Sequence, residues 1–140
     1  YPSLDLRRVV YSPSYLNSMN DEVVPFTLLE LCRDVYLRQY EFSEIDPLVS
    51  PILFSDEILK LLPPIKMIVG DLDPLHDDCW RFLYRLLKLG KSAELTVFKD
   101  LMHGCLNFDM IFGMPECLFA VKECAKKITE LINMKKAPEA

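Results

Sequence analysis

Two short stretches run apolar and then stop at a polar turn. One is Ile65-Lys66-Met67-Ile68-Val69, ended by Gly70-Asp71; the other is Glu94-Leu95-Thr96-Val97-Phe98, followed by Lys99-Asp100. Each predicts a strand. Between them, apolar residues recur at helical spacing over about residues 75–89, with Trp80, Leu83, Leu86 and Leu87 on one stripe and Gly90 as the stop. A last helix is expected over about residues 115–134, with Cys117, Phe119, Val121, Cys124, Ile128, Leu131 and Ile132 facing inward, then Lys135-Lys136 and a fraying tail. The chain up to about residue 64 has another character, with seven of the ten prolines and no glycine. It predicts irregular connections around a helix over about residues 25–40, which includes Phe26, Leu29, Val35 and Tyr36. Asp21 and Glu22 stand at the end that a helix dipole favours for negative charge. A shorter helix is expected over about 55–61, with Ser55 as N-cap and Ile58, Leu59 and Leu62 inward.

A strand, a crossover helix and a second strand imply a parallel pair. Parallel sheets are covered on both faces and usually have more strands, so further strands are expected on the N-terminal side of Tyr1. The fold class is therefore α/β. It comprises an irregular, helix-containing, cap- or connection-like segment over 1–64, a β-α-β-α part over 65–136 and a tail over 137–140.

Composition narrows the function. At 140 residues the chain has room for one domain with a core, and 51% hydrophobic residues predict apolar surface that expects a partner. The four glycines at 70, 90, 104 and 113 are too scattered for a phosphate loop or dinucleotide fingerprint. Net charge −5 with dispersed basic residues argues against nucleic acid. Five cysteines without a Cys-x-x-Cys pair, and only two histidines, give no zinc framework, so neither metal nor cofactor is expected. Unpaired thiols suit a reducing compartment. No apolar run approaches the ~18 residues of a transmembrane segment.

The chemistry gathers after the two strands. Asp73 stands three residues beyond the first and His103 five beyond the second, and loops at the carboxyl ends of neighbouring parallel strands meet at one edge. A buried carboxylate accepting the imidazole Nδ1–H fixes the tautomer and leaves Nε2 as a general base. Acid before histidine is the order of the last two members of a Ser-Asp-His triad, yet no serine here has a Gly-x-Ser-x-Gly setting. The plainer alternative is that Asp73 caps the next helix and His103 is an ordinary loop residue. Asp71 is a rival acid, ranked second because it is nearer the strand end, where backbone amides compete for it. Asp77 and Asp78 read as first-turn dipole partners, His76 as solvent-facing, Cys105 as a packing residue, and 106–114 as core or pocket lining.

Asp73-Pro74-Leu75-x-Asp77-Asp78 with Leu101-Met102-His103-Gly104 resembles the C-terminal signature of the hormone-sensitive lipase family of α/β-hydrolases, the animal type most closely. The runs from Ser12-Pro13-Ser14, Ser50-Pro51-Ile52-Leu53 and Leu61-x-Pro63-Pro64 are similar to segments flanking that family's catalytic sheet. The resemblance implies Asp73 as triad acid, His103 as base, and hydrolysis of acylglycerols, cholesteryl esters or related carboxylic esters. The family's glycine-rich oxyanion loop and serine elbow have no counterpart here, and Cys105 stands where the family often has an aromatic residue. The expected whole is a serine esterase whose nucleophile comes from a missing N-terminal part, cytoplasmic and able to associate with lipid droplets. The isolated chain is expected to be inert and to self-associate. A non-catalytic α/β binding or scaffolding module is the alternative; a dienelactone-hydrolase-like or peptidase relative is the weaker one.

Overall fold

Burial picks out Met67 and Val69 along the first strand, so one side of it faces a core while the other is only half covered. The computed structural model describes residues 1–7, 11–21, 23–39 and 43–134. In chain order these form α1 (Pro13–Asn17), α2 (Phe26–Gln39), α3 (Asp56–Leu61), β1 (Ile65–Gly70), α4 (His76–Lys88), β2 (Ala93–Phe98), α5 (Cys105–Phe112) and α6 (Pro115–Met134). Single 3-10 turns occur at Ser18–Asn20 and Pro51–Leu53. β1 and β2 pair in parallel, Ile65 opposite Ala93 through Gly70 opposite Phe98. The expected tail over 137–140 and Lys135-Lys136 lie outside the described residues.

The chain divides into two compact units, Tyr1–His103 and Gly104–Ala140. In the first, Met67 and Val69 pack with Cys79, Phe82, Leu83 and Leu86 of α4, and with Leu4, Ile52 and Leu59. The N-terminal segment is stitched across this core: the Ile52 amide donates to the Leu4 carbonyl at 3.0 Å, and the Leu6 amide donates to Ser50 Oγ at 2.9 Å. α4 carries Asp77 and Asp78 in its first turn and Arg85 and Lys88 in its last, as the helix dipole favours. It ends as expected at Gly90, φ +72°, where the Gly90 amide donates to Leu87 and the Lys91 amide to Leu86. In the second unit α5 and α6 pack on each other.

The expected inward faces need correction. On α4 the buried stripe is Cys79, Phe82, Leu83 and Leu86, whereas Trp80 and Leu87 are about half exposed. Both stripes have helical spacing; the packed one is the stripe that puts a thiol and a phenyl ring, rather than an indole, beneath the sheet. On α6, Cys117 and Ala120 are buried, and Phe119, Ile128 and Ile132 are exposed. On α3 only Leu59 is buried while Ile58 faces out. The short helices α1 and α5 were not expected. α1 starts at Ser12, whose hydroxyl accepts the Tyr15 amide, with Pro13 in the first turn.

Candidate active site

β1 ends in glycine because the chain leaving β2 passes over its Cα. A Cβ at Gly70 would lie 1.8 Å from the Leu101 carbonyl oxygen. The same oxygen accepts the Leu72 amide at 3.1 Å, and the Phe98 carbonyl accepts the Asp71 amide at 3.0 Å. These contacts clamp the two strand-end loops together at one edge. Asp73 follows in a tight turn, its amide donating to the Gly70 carbonyl at 3.3 Å. Its Oδ1 accepts the Leu75 amide at 2.8 Å, an Asx-type turn spanning Pro74, which has no amide hydrogen to compete. Its Oδ2 meets His103 Nδ1 at 2.9 Å. The Asp73 side chain is wholly buried, and that of His103 is 27% exposed.

An ionised carboxylate can only accept, so this contact places the proton on Nδ1 and the ring's lone pair on Nε2. Asp73 has no rotational freedom to spare, because both oxygens are engaged. His103 also touches the Tyr1 ring, with centroids 4.6 Å apart. It forms part of the wall of a cavity of about 690 Å³ that is lined chiefly by α2 and the N-terminal segment, with Leu75 and Asp78 among the other wall residues.

Acids and arginines share that wall. Asp5 accepts three hydrogen bonds from Arg7, two from the guanidinium at 2.8 and 2.7 Å and one from the amide at 3.3 Å, and lies 3.2 Å from Arg81. Burial alone would raise its carboxyl, but the Arg7 bonds outweigh burial and hold it below the usual range. Asp78 is pushed the other way, to about 6, first by burial and then by the Asp5 charge; Arg81 at 3.4 Å offsets only part.

The structure brings Asp73 and His103 together and leaves Asp71 exposed on the solvent side of the turn. His76 is not the isolated surface residue expected: its Nδ1 lies 3.0 Å from Asp77, and its Nε2 accepts Trp80 Nε1–H at 3.0 Å. Cys105 opens α5 and is buried, in keeping with a packing residue. Ser14 escaped the sequence reading. Its amide donates to Asp77 Oδ2 at 2.9 Å, its hydroxyl donates to the Pro74 carbonyl at 2.8 Å, and it accepts the Asp77 amide at 3.2 Å. The residue before α4, Leu75, has no capping side chain, so a serine some sixty positions away does that work. The signal was the Ser12-Pro13-Ser14 run itself, without any local hint of its target.

A family profile described as the alpha/beta hydrolase fold matches residues 1–107. The chain belongs to the α/β-hydrolase family. This α/β-hydrolase is 36% identical to mouse (Mus musculus) hormone-sensitive lipase over 93 residues, which is 66% of this chain and 12% of the mouse protein. Its fold is similar to carboxyl esterase 2 of the fungus Tuber melanosporum, with TM-score 0.82 and 22% identity over 94% of this chain and 42% of that one. It is also similar to brefeldin A esterase, a bacterial homologue of human hormone-sensitive lipase, with TM-score 0.74 and 27% identity over 91% of this chain and 35% of that one. The chain thus spans about an eighth of the mouse relative and well under half of either esterase. The resemblance to the hormone-sensitive lipase family that the Asp-Pro-Leu and His-Gly motifs implied is found. Among the described residues no helix is long and apolar enough to cross a membrane.

Proposed function

We propose that this chain supplies the acid and the base of a hormone-sensitive-lipase-like serine ester hydrolase. The observation that supports the reading most is the 2.9 Å contact between the buried Asp73 carboxylate and His103, on loops after two adjacent parallel strands and beside a largely apolar cavity. In this reading a serine outside these 140 residues attacks the ester carbonyl and His103 Nε2 takes its proton. Asp73 stabilises the imidazolium, and His103 then returns the proton to the leaving alcohol. Backbone amides outside the chain hold the oxyanion. The substrates are carboxylic esters with apolar parts, of the acylglycerol or cholesteryl class, as the kinship with hormone-sensitive lipase suggests. Five cysteines with no disulfide among them suit a cytoplasmic setting, and transient residence on lipid droplets would bring such an enzyme to its substrate.

Lacking a nucleophile elbow, the 140-residue chain alone has no measurable turnover of a short-chain aryl ester in this reading. A homogeneous sample that turns the ester over, with activity lost in His103→Ala, would reveal a nucleophile within the chain and refute the division of labour. Where a serine-bearing segment is present, Asp73→Asn is expected to lower kcat by about 10³–10⁴-fold, since the imidazole loses its tautomer. A change within tenfold would mean that Asp73 is not the triad acid, and no turnover with the serine-bearing segment present would favour a non-catalytic binding module.

A further inference from the structure

The 2.9 Å contact between His103 Nδ1 and Asp73 fixes one corner of the imidazole. A hydrogen bond at one corner leaves the ring able to tilt, because the terminal torsion of a histidine side chain is soft. The side chain is 27% exposed, so packing does not hold it on every side. A base whose Nε2 swings is out of line with the hydroxyl it must deprotonate for much of the time, and small misplacements are costly. The plane of the ring therefore needs a second restraint.

Tyr1 is placed to supply it. Its ring centroid lies 4.6 Å from that of His103, with the two planes tilted by 55°, within the usual range of aromatic pairs. Tyr1 is half-buried and packs against the core of the first unit. The backbone that carries it is constrained from both sides. Pro2 disfavours helical backbone at the residue before it and so biases Tyr1 toward an extended conformation. Just beyond, the Leu4 carbonyl accepts the Ile52 amide and the Leu6 amide donates to Ser50 Oγ, which pins the segment across the core. The ring is thus a fixed surface against which the imidazole rests.

An aromatic neighbour also suits what the base has to do. In the proposed reaction His103 alternates between neutral imidazole and imidazolium. A carboxylate at this place would favour only the charged form, and a cationic side chain only the neutral one. A tyrosine ring packs against the neutral form and brings no full charge to oppose the other.

We propose that Tyr1 is a positioning residue for the candidate base: its ring sets the plane of the His103 imidazole, while Asp73 sets the tautomer. This rests on the reading of Asp73 and His103 as triad acid and base, and Tyr1 acts through His103.

The chain has only two histidines, so ¹⁵N labelling of the imidazoles gives two sets of signals. His76, held by Asp77 and Trp80, is the internal reference. At about pH 8.5, where an ordinary imidazole is neutral, His103 of the 140-residue chain is expected as the Nδ1–H tautomer. Nuclear Overhauser contacts should join its carbon-bound ring protons to the Tyr1 ring. Tyr1→Leu keeps apolar bulk without the ring, and His103 Nδ1–H should then exchange with water about fivefold faster. Tyr1→Phe should match the unmodified chain. Where a serine-bearing segment is present, Tyr1→Leu should lower kcat about fivefold with KM within about twofold. Missing Overhauser contacts, exchange unmoved in Tyr1→Leu, a Tyr1→Phe variant that behaves like Tyr1→Leu, or a raised KM at constant kcat would overturn the proposal and leave the acid and base in place. Should the His76 signals also move in Tyr1→Leu, the fold is disturbed, and the Overhauser contacts of the unmodified chain with the Tyr1→Phe result decide. A His103 outside the Nδ1–H tautomer in the unmodified chain would overturn the triad reading, and this inference with it.

Discussion

Asp78 shows how far one side chain's meaning depends on what folds over it. As the third residue of α4 it is a routine partner for the helix dipole, which is how its position in the sequence reads. In the fold it is buried beside Asp5, and burial first, then that charge, pushes its carboxyl up to about 6 from an ordinary 3.8. An acid whose folded pKa is raised keeps its proton in the native state where the unfolded chain has already lost it. The folded state therefore binds more protons between about 3.8 and 6, and stability contributed at this site falls as pH rises through that window. Above it the ionised group costs up to about 3 kcal/mol, a shift of some two units converted at ~1.4 kcal/mol each. Asp78→Asn should raise the urea midpoint at pH 7.5 and change it little at pH 4. Equal gains at both pH values would mean that the carboxyl is not the source. Asp73 contrasts with it: strand-end spacing and the proline after it mark it as the first candidate acid ahead of Asp71, and the fold sets it against His103. Asp78 carries no such mark, since Asp5 and Arg81 are brought to it only by tertiary packing.

Elements carry their own lesson. The strands β1 and β2 and the long helices α2, α4 and α6 follow from hydrophobic periodicity within a residue or two, because long periodic segments are over-determined. Which stripe of α4 packs is harder, since Trp80 with Leu87 and Cys79 with Phe82 both satisfy the helical period. The N-terminus of α4 is less legible still. Its cap comes from Ser14, whose three hydrogen bonds tie α1 to Pro74 and Asp77 beside the catalytic candidate Asp73. Ser14→Ala removes the hydroxyl and orphans the Pro74 carbonyl and the Asp77 amide, which should cost about 1–2 kcal/mol in urea unfolding. Ser14→Thr, keeping the hydroxyl, should restore most of it; a loss below ~0.3 kcal/mol in the alanine variant would show that solvent replaces the cap. Gly70→Ala belongs to the same clamp and should be far worse. Its new methyl would meet a backbone oxygen that cannot move without pulling the His103 loop away, so the folded fraction should drop sharply by near-ultraviolet circular dichroism. A stably folded Gly70→Ala with its Asp73–His103 contact intact would mean that the crossing is looser than 1.8 Å implies.

At the scale of the whole molecule the balance of surface and core sets the behaviour of the chain. The sheet among the described residues has two strands, so each strand has one edge facing no other strand. Two paired strands are marginal without a covering layer, and here α4 covers one face. Elsewhere the surface carries many large apolar side chains, including Leu31 at 60%, Leu48 at 78%, Leu61 at 80% and Phe119 at 58% exposed. Monomeric proteins seldom leave both strand edges and this much hydrocarbon open, since either can recruit a second chain. The 140-residue chain is therefore expected to self-associate at micromolar concentration, and the weight-average mass in sedimentation equilibrium should rise with loading concentration. The two routes separate under mild perturbation: hydrophobic contacts weaken on cooling, whereas edge-to-edge pairing is blocked by charge or proline on the strand. If association is mainly apolar, it should lessen on cooling from 25 °C to 5 °C, and Leu61→Lys should suppress it. If it runs through the free edge of a strand, Ile68→Pro, at an amide that points away from β2, should suppress it and cooling should not. A mass that stays at one chain across a hundredfold range of concentration would show that these surfaces are compatible with a solitary monomer.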